Sequence, residues 1–453
     1  MSKIIFSVPP MTGPINAGMG LARSLVSKGH EVIYLGIPDC EPIITANHFN
    51  FIPVYGEYFP MGWINTFYQK LHEKGGIEAY HDVIDFVDYL IAGGDKEILE
   101  VFDKIQADML IITASESDSI IWALLAHKAG LKTIYLYDVL AGAATLTSPP
   151  IYTDLVANGH SLSHLKIVYA WLKHYYFNLF FHFYAVWKKI KYLSPAKIKK
   201  LARYCNYRVG DIIFLTDMPS PLLKLPQLAL FPKEFDFPNV KHTDRYYGSA
   251  SIDINRQQEA FPWPQLRVDS PLVYTALSTL PLLTEHQTKA FFQAVVDAAA
   301  KWPEWDWVIS IGKTLNPDDF DNVTANIILV KKAPQLELLK KAALMITHGG
   351  PSSIKECLYF GVPMIAFPLW FDQPGNVARL VYHGLGLAGK FDHVSKDYLQ
   401  NLIAEAYNNQ GIKDKIKTMQ TTFIDNENAD LSAKVIETFL PLKSKPLNNK
   451  AIT

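Results

Sequence analysis

The densest group of residues able to do chemistry is a loop in the last third of the chain, with the sequence Thr347-His348-Gly349-Gly350-Pro351-Ser352-Ser353. An imidazole follows an apolar run, two glycines allow close backbone approach, and two small hydroxyls open the next helix. A helix amino terminus presents unpaired N–H groups and the positive end of its dipole, so this loop predicts a phosphate site. A glycine turn with a serine cap and no ligand would have the same spacing, and spacing alone leaves that alternative open.

The elements around this loop alternate between short β-branched strands and helices, as in parallel sheets covered by helices. In the first half the pattern predicts strands over Ile4–Val8, Glu31–Leu35, Met109–Thr113, Ile134–Tyr137 and Ile212–Leu215, the last continuing the same sheet. Helices predicted over Leu21–Lys28 and Ile120–Ala129 end at Gly29 and Gly130, where glycine can adopt a left-handed backbone.

The second half repeats the pattern. It predicts strands over Leu272–Ala276, Trp307–Ile311, Ile327–Val330, Leu344–Thr347 and Met364–Phe367, and a helix over Glu285–Lys301. The His348 loop follows one of these strands, so it lies at the carboxyl edge of a parallel sheet, where open α/β folds bind ligands.

Between the halves, residues 222–263 are rich in proline and aromatics and only weakly periodic, as expected of a linker with flanking loops. The sequence therefore predicts an α/β protein of two similar domains facing each other. The predicted boundaries are an amino-terminal domain over 1–235, a linker over 236–262, a carboxyl-terminal domain over 263–430, and a helix with a polar tail over 431–453.

The composition excludes several classes of protein. With 453 residues, 49% hydrophobic and 19% charged, the chain can bury large cores and is too apolar to be disordered. A net charge of -1 argues against a general nucleic-acid binder. The three cysteines show neither a disulfide framework nor metal-type spacing and fit a reducing cytosol, and no apolar run reaches the length of a membrane span. We expect a cytoplasmic protein.

The region from Trp307 to Leu380 resembles the nucleotide-sugar signature of the UDP-glycosyltransferase superfamily, the family 1 inverting glycosyltransferases. Plant natural-product, bacterial macrolide and zeaxanthin glycosyltransferases belong to it. The motifs that carry the resemblance are Ala333-Pro334-Gln335, the loop from Thr347 to Glu356, Gly361-Val362-Pro363 and Asp372-Gln373-Pro374-Gly375-Asn376. A second, less specific match covers Gly13 to Val32.

The resemblance implies a GT-B fold, with two facing Rossmann-like domains, parallel sheets and a cleft between them. The amino-terminal domain would bind the acceptor and the carboxyl-terminal domain a UDP-sugar. It implies an inverting glycosyltransferase that moves a hexose, with glucose expected, from the UDP-sugar to a hydroxyl or carboxylate in natural-product glycosylation. No cofactor is implied beyond the UDP-sugar co-substrate. No metal is expected, because an Asp-rich phosphate site is missing from the sequence.

Carried over position by position, the resemblance implies that His348 donates a hydrogen bond to the donor diphosphate. The backbone of Gly350 and the hydroxyls of Ser352, Ser353 and Thr279 would contact the same group. Each role is chemically reasonable because these are hydrogen-bond donors to phosphate oxygens.

The rest of the donor would be held by five further residues. The resemblance implies that Glu356 accepts hydrogen bonds from the ribose hydroxyls, that Ala333 and Gln335 lie against the uracil, and that Asp372 and Gln373 hold sugar hydroxyls. Helix capping is the plain alternative for the last pair. Lys332 stands where many relatives place a tryptophan that stacks on the base, which leaves open a weaker base contact or another nucleotide preference.

The expected catalytic base is missing from the first loop. Transfer to a hydroxyl usually needs a general base within hydrogen-bond reach of the acceptor oxygen. The family supplies a histidine there, oriented by an aspartate from a later loop, whereas this chain has Pro14 in Gly13-Pro14-Ile15-Asn16-Ala17. At the partner position the sequence offers Glu116 and, two residues on, Asp118.

Three interpretations follow, in order of preference. Glu116 or Asp118 is itself the base, its pKa raised by burial. Alternatively the acceptor is already ionised, as a carboxylate or an acidic phenol. In the third, the protein is a catalytically silent nucleotide-sugar-binding partner of the same fold. A solvated or helix-capping carboxylate remains the plain alternative for Glu116.

Residues 164–192 are crowded with large aromatics and followed by lysines. We expect an apolar acceptor site that includes Pro14, Trp171 and Phe177, because pockets for flat or oily molecules are mainly apolar. A helix lying on a membrane surface, with its lysines against anionic lipid, is a second interpretation of this segment. Ordinary helix packing is a third.

Overall fold

Two parallel β-sheets, one in each half of the chain, form the framework of the computed structural model, which describes residues 1–73, 78–114, 118–188, 190–242, 244–256, 258–277 and 283–441. The strands of the first half are β1 (Lys3–Ser7), β2 (Glu31–Gly36), β3 (Asn50–Pro53), β4 (Met109–Thr113), β5 (Thr133–Tyr137), β6 (Ile212–Ile213), β7 (Leu222–Leu223), β8 (Gln227–Ala229) and β9 (Arg245–Tyr247). Those of the second half are β10 (Leu272–Ala276), β11 (Asp306–Ser310), β12 (Ile327–Val330), β13 (Ala342–Thr347), β14 (Met364–Ala366) and β15 (Gly386–Ala388).

The first sheet has seven parallel strands in the order β3-β2-β1-β4-β5-β8-β9. The prediction that Ile212–Leu215 continues this sheet is wrong. Only Ile212 and Ile213 are extended, and they pair antiparallel with Leu222 and Leu223 in a separate two-stranded sheet. This apolar run therefore pairs with a nearby segment in a hairpin-like arrangement and not with the main sheet.

The first domain continues further along the chain than predicted. Strands β8 and β9 lie within the stretch predicted to be linker and flanking loops, yet both pair in parallel with the first sheet. The sheet therefore runs to Tyr247, so the predicted domain boundary at 235 is too early. These strands are three residues each, too short for an alternating pattern to stand out.

The second sheet has six parallel strands in the order β12-β11-β10-β13-β14-β15. Its central strand β10 is buried at all five positions, as is β4 in the first sheet. Strands covered by helices on both faces read as continuous apolar runs, which is why these two could be located from sequence.

The helices pack on both faces of the sheets. In the first half they are α1 (Thr12–Ser27), α2 (Glu41–Ala46), α3 (Trp63–Glu73), α4 (His81–Tyr89), α5 (Lys96–Ile105), α6 (Ser119–Lys128), α7 (Ser161–Trp187) and α8 (Pro195–Tyr204). In the second half they are α9 (Glu285–Ala299), α10 (Gln335–Leu339), α11 (Pro351–Phe360), α12 (Gln373–Tyr382), α13 (Lys396–Asn408), α14 (Gln410–Asn428) and α15 (Leu431–Phe439). Gly29 and Gly130, which follow α1 and α6, have φ of 85° and 68°, as predicted for left-handed caps.

The two domains are joined by buried polar contacts as well as by the chain. Arg379 of α12 forms an ion pair with Asp236 of the first domain at 2.9 Å, and both side chains are almost fully buried. A second connection lies between α15 and α1, where Lys28 pairs with Asp430 and Glu437. Among the described helices, none is long and apolar enough to cross a membrane.

Candidate active site

The His348 loop connects β13 to α11 at the carboxyl edge of the second sheet. Gly349 has φ of 83°, and a Cβ there would lie 2.5 Å from Val377. A Cβ on Gly350 would lie 2.5 Å from Nε2 of His348, so this glycine lets the imidazole rest against the backbone. Pro351 occupies the first turn of α11, where its missing N–H costs no hydrogen bond. The half-buried Ser352 and Ser353 follow in the same turn.

The imidazole of His348 is neutral at physiological pH, because burial lowers its pKa to about 4. Its Nδ1 atom is buried and has no hydrogen-bond partner among the described residues. A buried polar atom without a partner is uncommon in proteins. The ring is therefore suited to act as a hydrogen-bonding group toward a bound molecule rather than as a fixed cation.

The carboxylate of Glu356, in the second turn of α11, is held by three hydrogen bonds. Arg256 donates to both oxygens, from Nη1 to Oε1 at 2.6 Å and from Nη2 to Oε2 at 3.1 Å. Gln335 donates from Nε2 to Oε2 at 2.7 Å, and its own Oε1 accepts from the Tyr274 hydroxyl at 3.4 Å. Glu356, predicted to hold the ribose, and Gln335, predicted to lie against the base, are thus neighbours. Arg256, which was not predicted as a site residue, contacts the same carboxylate.

The segment before α10 lies beside the same linker. Ala333 is buried, whereas Lys332 is exposed and forms an ion pair with Glu259. Arg256 and Glu259 both belong to the connection between the domains, so this connection borders the predicted nucleotide site at two points. The lysine that precedes Ala333 is thereby paired with a carboxylate of the linker.

Asp372 and Gln373 lie at the start of α12, beside the His348 loop. Asp372 accepts a hydrogen bond from Asn376 at 2.6 Å, and Asn376 also donates to the Gly349 carbonyl at 3.3 Å, which ties the two loops together. Burial, with a smaller contribution from the charge of Asp138, raises the pKa of Asp372 to about 6. The Oε1 atom of Gln373 accepts from the backbone N–H groups of Leu369 and Trp370, so it shapes the loop before the helix.

An apolar cavity lies in the first domain at the carboxyl edge of its sheet. It is bounded by the segment after β1, by α3 and α4, and by the start of α6. Among its lining residues are Pro9, Pro10, Met11, Tyr55, Phe59, Trp63, Phe67, Phe86, Asp118 and Trp122. Among the described residues of this lining, Asp118 carries the one acidic group, and the others are apolar or aromatic.

Asp118 is held at the amino end of α6 by the indole of Trp122, whose Nε1 donates to Oδ2 at 2.9 Å. Burial raises the pKa of Asp118 above its ordinary value, and the Trp122 hydrogen bond only partly opposes this. A carboxylate with a raised pKa in an apolar cavity is a better proton acceptor than an exposed one.

The predicted acceptor residues do not meet in this cavity. Trp171 packs its buried ring in a small cluster with Ile167 and Phe237, and its Nε1 donates to the Ser148 carbonyl at 2.8 Å. Phe177 is 65% exposed. Pro14, in the first turn of α1, is half-buried and is not among the lining residues. The aromatic wall of the cavity comes instead from α3, α4 and α6.

Two predicted site residues, Glu116 and Thr279, lie outside the described residues, and their roles stay predictions. Two others were missed. Arg256 and Asp138 are remote in sequence from the motifs that they adjoin, and neither carries a local pattern. Within the described ranges no group of three or more His, Cys, Asp or Glu side chains is placed to hold a metal ion. The expectation of a metal-independent reaction stays a prediction.

The two parallel-sheet domains match known glycosyltransferases in both sequence and structure. A family model described as UDP-glucoronosyl and UDP-glucosyl transferase matches residues 282–435. The NDP-glycosyltransferase YjiC of Bacillus subtilis is 25% identical over 442 residues, or 96% of this chain and 97% of that protein. Zeaxanthin glucosyltransferase of Pantoea ananas is 23% identical over 398 residues, covering 85% of this chain and 84% of the relative.

Among solved structures, the glycotransferase of kitacinnamycin matches with a TM-score of 0.68 at 17% identity, over 97% of this chain and 99% of that one. This similarity confirms the predicted GT-B fold. The sequence relatives and structural neighbours along nearly the whole chain are glycosyltransferases and support a transferase enzyme, and residues 282–435 carry the match to the family model.

Proposed function

We propose that the protein transfers a hexose, glucose in the first instance, from a UDP-sugar to a hydroxyl or carboxylate of a small hydrophobic acceptor, with inversion at the anomeric carbon. The observation that carries this proposal is the position of Asp118, a half-buried carboxylate in the lining of an apolar cavity beside the first loop. It supplies a proton acceptor where the chain lacks the family's first-loop histidine.

The donor half of the reaction rests on the β13–α11 loop. His348 and the backbone N–H groups at the start of α11 would stabilise the negative charge that develops on the leaving diphosphate. Glu356 would accept from the ribose hydroxyls, and Asp372 and Gln373 from the sugar. The domain contact near α12 would exclude water from the sugar and so limit hydrolysis.

In the acceptor half, the hydroxyl would enter the cavity with its hydrocarbon body against the aromatic lining. Oδ2 of Asp118 already accepts a hydrogen bond from the Trp122 indole. The other oxygen, Oδ1, would accept the acceptor proton as the new glycosidic bond forms and the bond to UDP breaks. A carboxylate acceptor would arrive ionised and would need no such base.

The test is acceptor-dependent UDP release from UDP-glucose, measured with phenols, flavonoids and carotenoid diols, for the natural protein and for the Asp118→Asn variant. We expect release with at least one acceptor and a loss of about 10²- to 10⁴-fold in kcat for the variant, the usual contribution of a general base. Asp118→Asn keeps the shape of the side chain. The Asp138→Asn variant tests a second carboxylate, which is buried and whose charge acts on Asp372.

The second candidate function is a silent nucleotide-sugar-binding partner protein, which the proline at position 14 favours. Under that function calorimetry would detect UDP-sugar binding, but no acceptor would release UDP. Full turnover by Asp118→Asn with a hydroxyl acceptor would remove Asp118 as the base while leaving the transferase activity in place.

A further inference from the structure

Helix α7 exposes an apolar face for most of its length. Of the 28 large hydrophobic side chains that are exposed in the described part of the chain, 13 lie on this one helix of 27 residues. Six of them recur at helical spacing and form one continuous row, called here the outer stripe: Tyr169, Leu172, Tyr176, Phe180, Phe183 and Trp187. At 1.5 Å per residue the outer stripe is about 27 Å long.

The opposite face of α7 accounts for its attachment to the domain. Ile167 and Trp171 are buried there, and His174 contacts the Thr216 carbonyl through Nε2 at 3.0 Å. The helix is therefore apolar on both sides, and its inner side is already used. An exposed apolar patch of this extent marks an interaction surface in soluble proteins.

The charge around the outer stripe has one sign. Residues 155–210 contain ten lysines and arginines and no aspartate or glutamate, in a chain whose net charge is -1. Asp85 and Asp88 of α4 neutralise Lys191 and Lys197. Lys166 and Lys173, which are exposed on α7, form no ion pair with any described residue.

We infer that the outer stripe docks on the surface of a membrane that contains anionic lipid, with α7 lying in the plane of the interface. Tyrosine and tryptophan favour the boundary between headgroups and acyl chains, phenylalanine and leucine enter further, and lysines meet the phosphate headgroups. A second copy of this chain fits less well, since pairing two such faces would bring Lys166 and Lys173 of each copy together, and α7 itself carries no aspartate or glutamate.

The experiment is partitioning of the full-length protein onto vesicles of phosphatidylcholine alone and of phosphatidylcholine with 30 mol% phosphatidylglycerol, by co-sedimentation at two salt concentrations. We expect binding to the anionic vesicles that weakens as salt rises. Replacing both Lys166 and Lys173 by glutamine should lower the partition coefficient on the order of 25-fold, about fivefold for each charge removed.

The apolar contribution is tested with Phe180→Glu, and Val268→Glu is the matched control. Val268 is 97% exposed and lies outside α7, so its variant adds the same charge at an exposed apolar position. Phe180→Glu should lose vesicle binding and Val268→Glu should keep it. Equal binding by the two variants, or no binding of the natural protein to anionic vesicles, would overturn the inference.

Light scattering at micromolar concentration tests whether a second copy of this chain, rather than a membrane, covers the outer stripe. A natural protein that is dimeric without lipid, and monomeric when Phe180 is replaced by glutamate, would assign the outer stripe to a second copy and overturn the membrane inference. A monomer in both cases supports it. If Phe180→Glu does not fold, the salt dependence of the natural protein on anionic vesicles still decides.

Discussion

Arg256 donates hydrogen bonds from both terminal nitrogens to the carboxylate of Glu356, which lies 100 residues further along the chain. The distances are 2.6 Å from Nη1 to Oε1 and 3.1 Å from Nη2 to Oε2. The arginine belongs to the connection between the domains, and the glutamate belongs to the helix that would bind the nucleotide ribose. Both side chains are largely buried, with 15% and 4% of their surface exposed. The planar guanidinium fixes the carboxylate in one orientation, which an ammonium group cannot do.

We predict that Arg256→Lys raises the Kd for UDP-glucose about tenfold and that Arg256→Ala has a larger effect. The physical reason is that Glu356 would lose its fixed orientation and, in the alanine variant, its counter-charge. Calorimetric titration with UDP-glucose measures both.

The double variant Arg256→Ala with Glu356→Gln separates binding from folding. Removing one partner of a buried pair costs about 3–5 kcal/mol of stability, whereas removing both charges costs less. We expect the free energy of unfolding to recover in the double variant while donor affinity stays low. Full recovery of affinity would mean that Glu356 does not hold the donor.

We predict that His348 contributes through a neutral imidazole. Burial lowers its pKa to about 4. Donor affinity should therefore show no titration of this histidine between pH 5 and 8. His348→Ala should weaken donor binding about 10- to 100-fold, the equivalent of one hydrogen bond to a charged group.

His348→Gln can still donate a hydrogen bond and is the conservative control, which should recover part of that loss. Donor affinity that rises steeply as the pH falls from 7 to 5 would instead point to a protonated ring.

We predict an acid limb in the pH profile of kcat/KM that belongs to Asp118. Its folded-state pKa is raised, so the group stays protonated at pH values where an ordinary aspartate is ionised. A protonated carboxyl cannot accept the acceptor proton, and activity should therefore rise with pH through this raised pKa. Asp118→Asn should remove the limb together with most of the turnover.

Trp122→Phe is the matched variant for this prediction. It deletes the hydrogen bond that lowers the pKa of Asp118, so the limb should move to higher pH. A limb that stays in place in Trp122→Phe would assign the titration to another group.

We predict that the buried ion pair between Arg379 and Asp236 stabilises the arrangement of the two domains. Neither side chain is more than 1% exposed, and Arg379 also donates to the Gly375 carbonyl at 3.0 Å. Asp236→Asn should lower the free energy of unfolding by about 3–5 kcal/mol, because it leaves a buried guanidinium without its counter-charge. Urea denaturation measures the change. The control is the exposed ion pair of Lys340 and Glu337, where Glu337→Gln should lower the free energy of unfolding by less than about 1 kcal/mol.

The sheets and the donor loop could be predicted from sequence because their signals are local. Strands β4, β10 and β12 were predicted at their observed bounds, since each is a continuous apolar run. The turn at His348 carries its glycines, proline and serines within seven residues. Its left-handed Gly349 follows from the same local pattern.

The parts that escaped prediction depend on contacts between distant segments. Strand β9 contains an arginine and two tyrosines in three residues, and only its pairing with β8 makes it a strand. Arg256 is defined as a site residue by Glu356 alone. Trp171 and Phe177 have the right chemistry for an acceptor site, but one is turned into a small core cluster and the other toward solvent.

The backbone N–H of Gly375 donates to the Ile151 carbonyl of the first domain at 2.8 Å, and any Cβ on Gly375 would lie 2.3 Å from that oxygen. Asp217 fixes the same segment by accepting from the N–H groups of Gly142 and Ile151. The amino end of α12, next to Asp372, is thus in contact with residues of the first half of the chain around Ile151. A chimera that takes only its carboxyl-terminal half from a relative would place a foreign α12 against residues 142–151 of this chain. If α12 holds the donor sugar, as proposed, transplanting donor preference would require that segment to be exchanged with it.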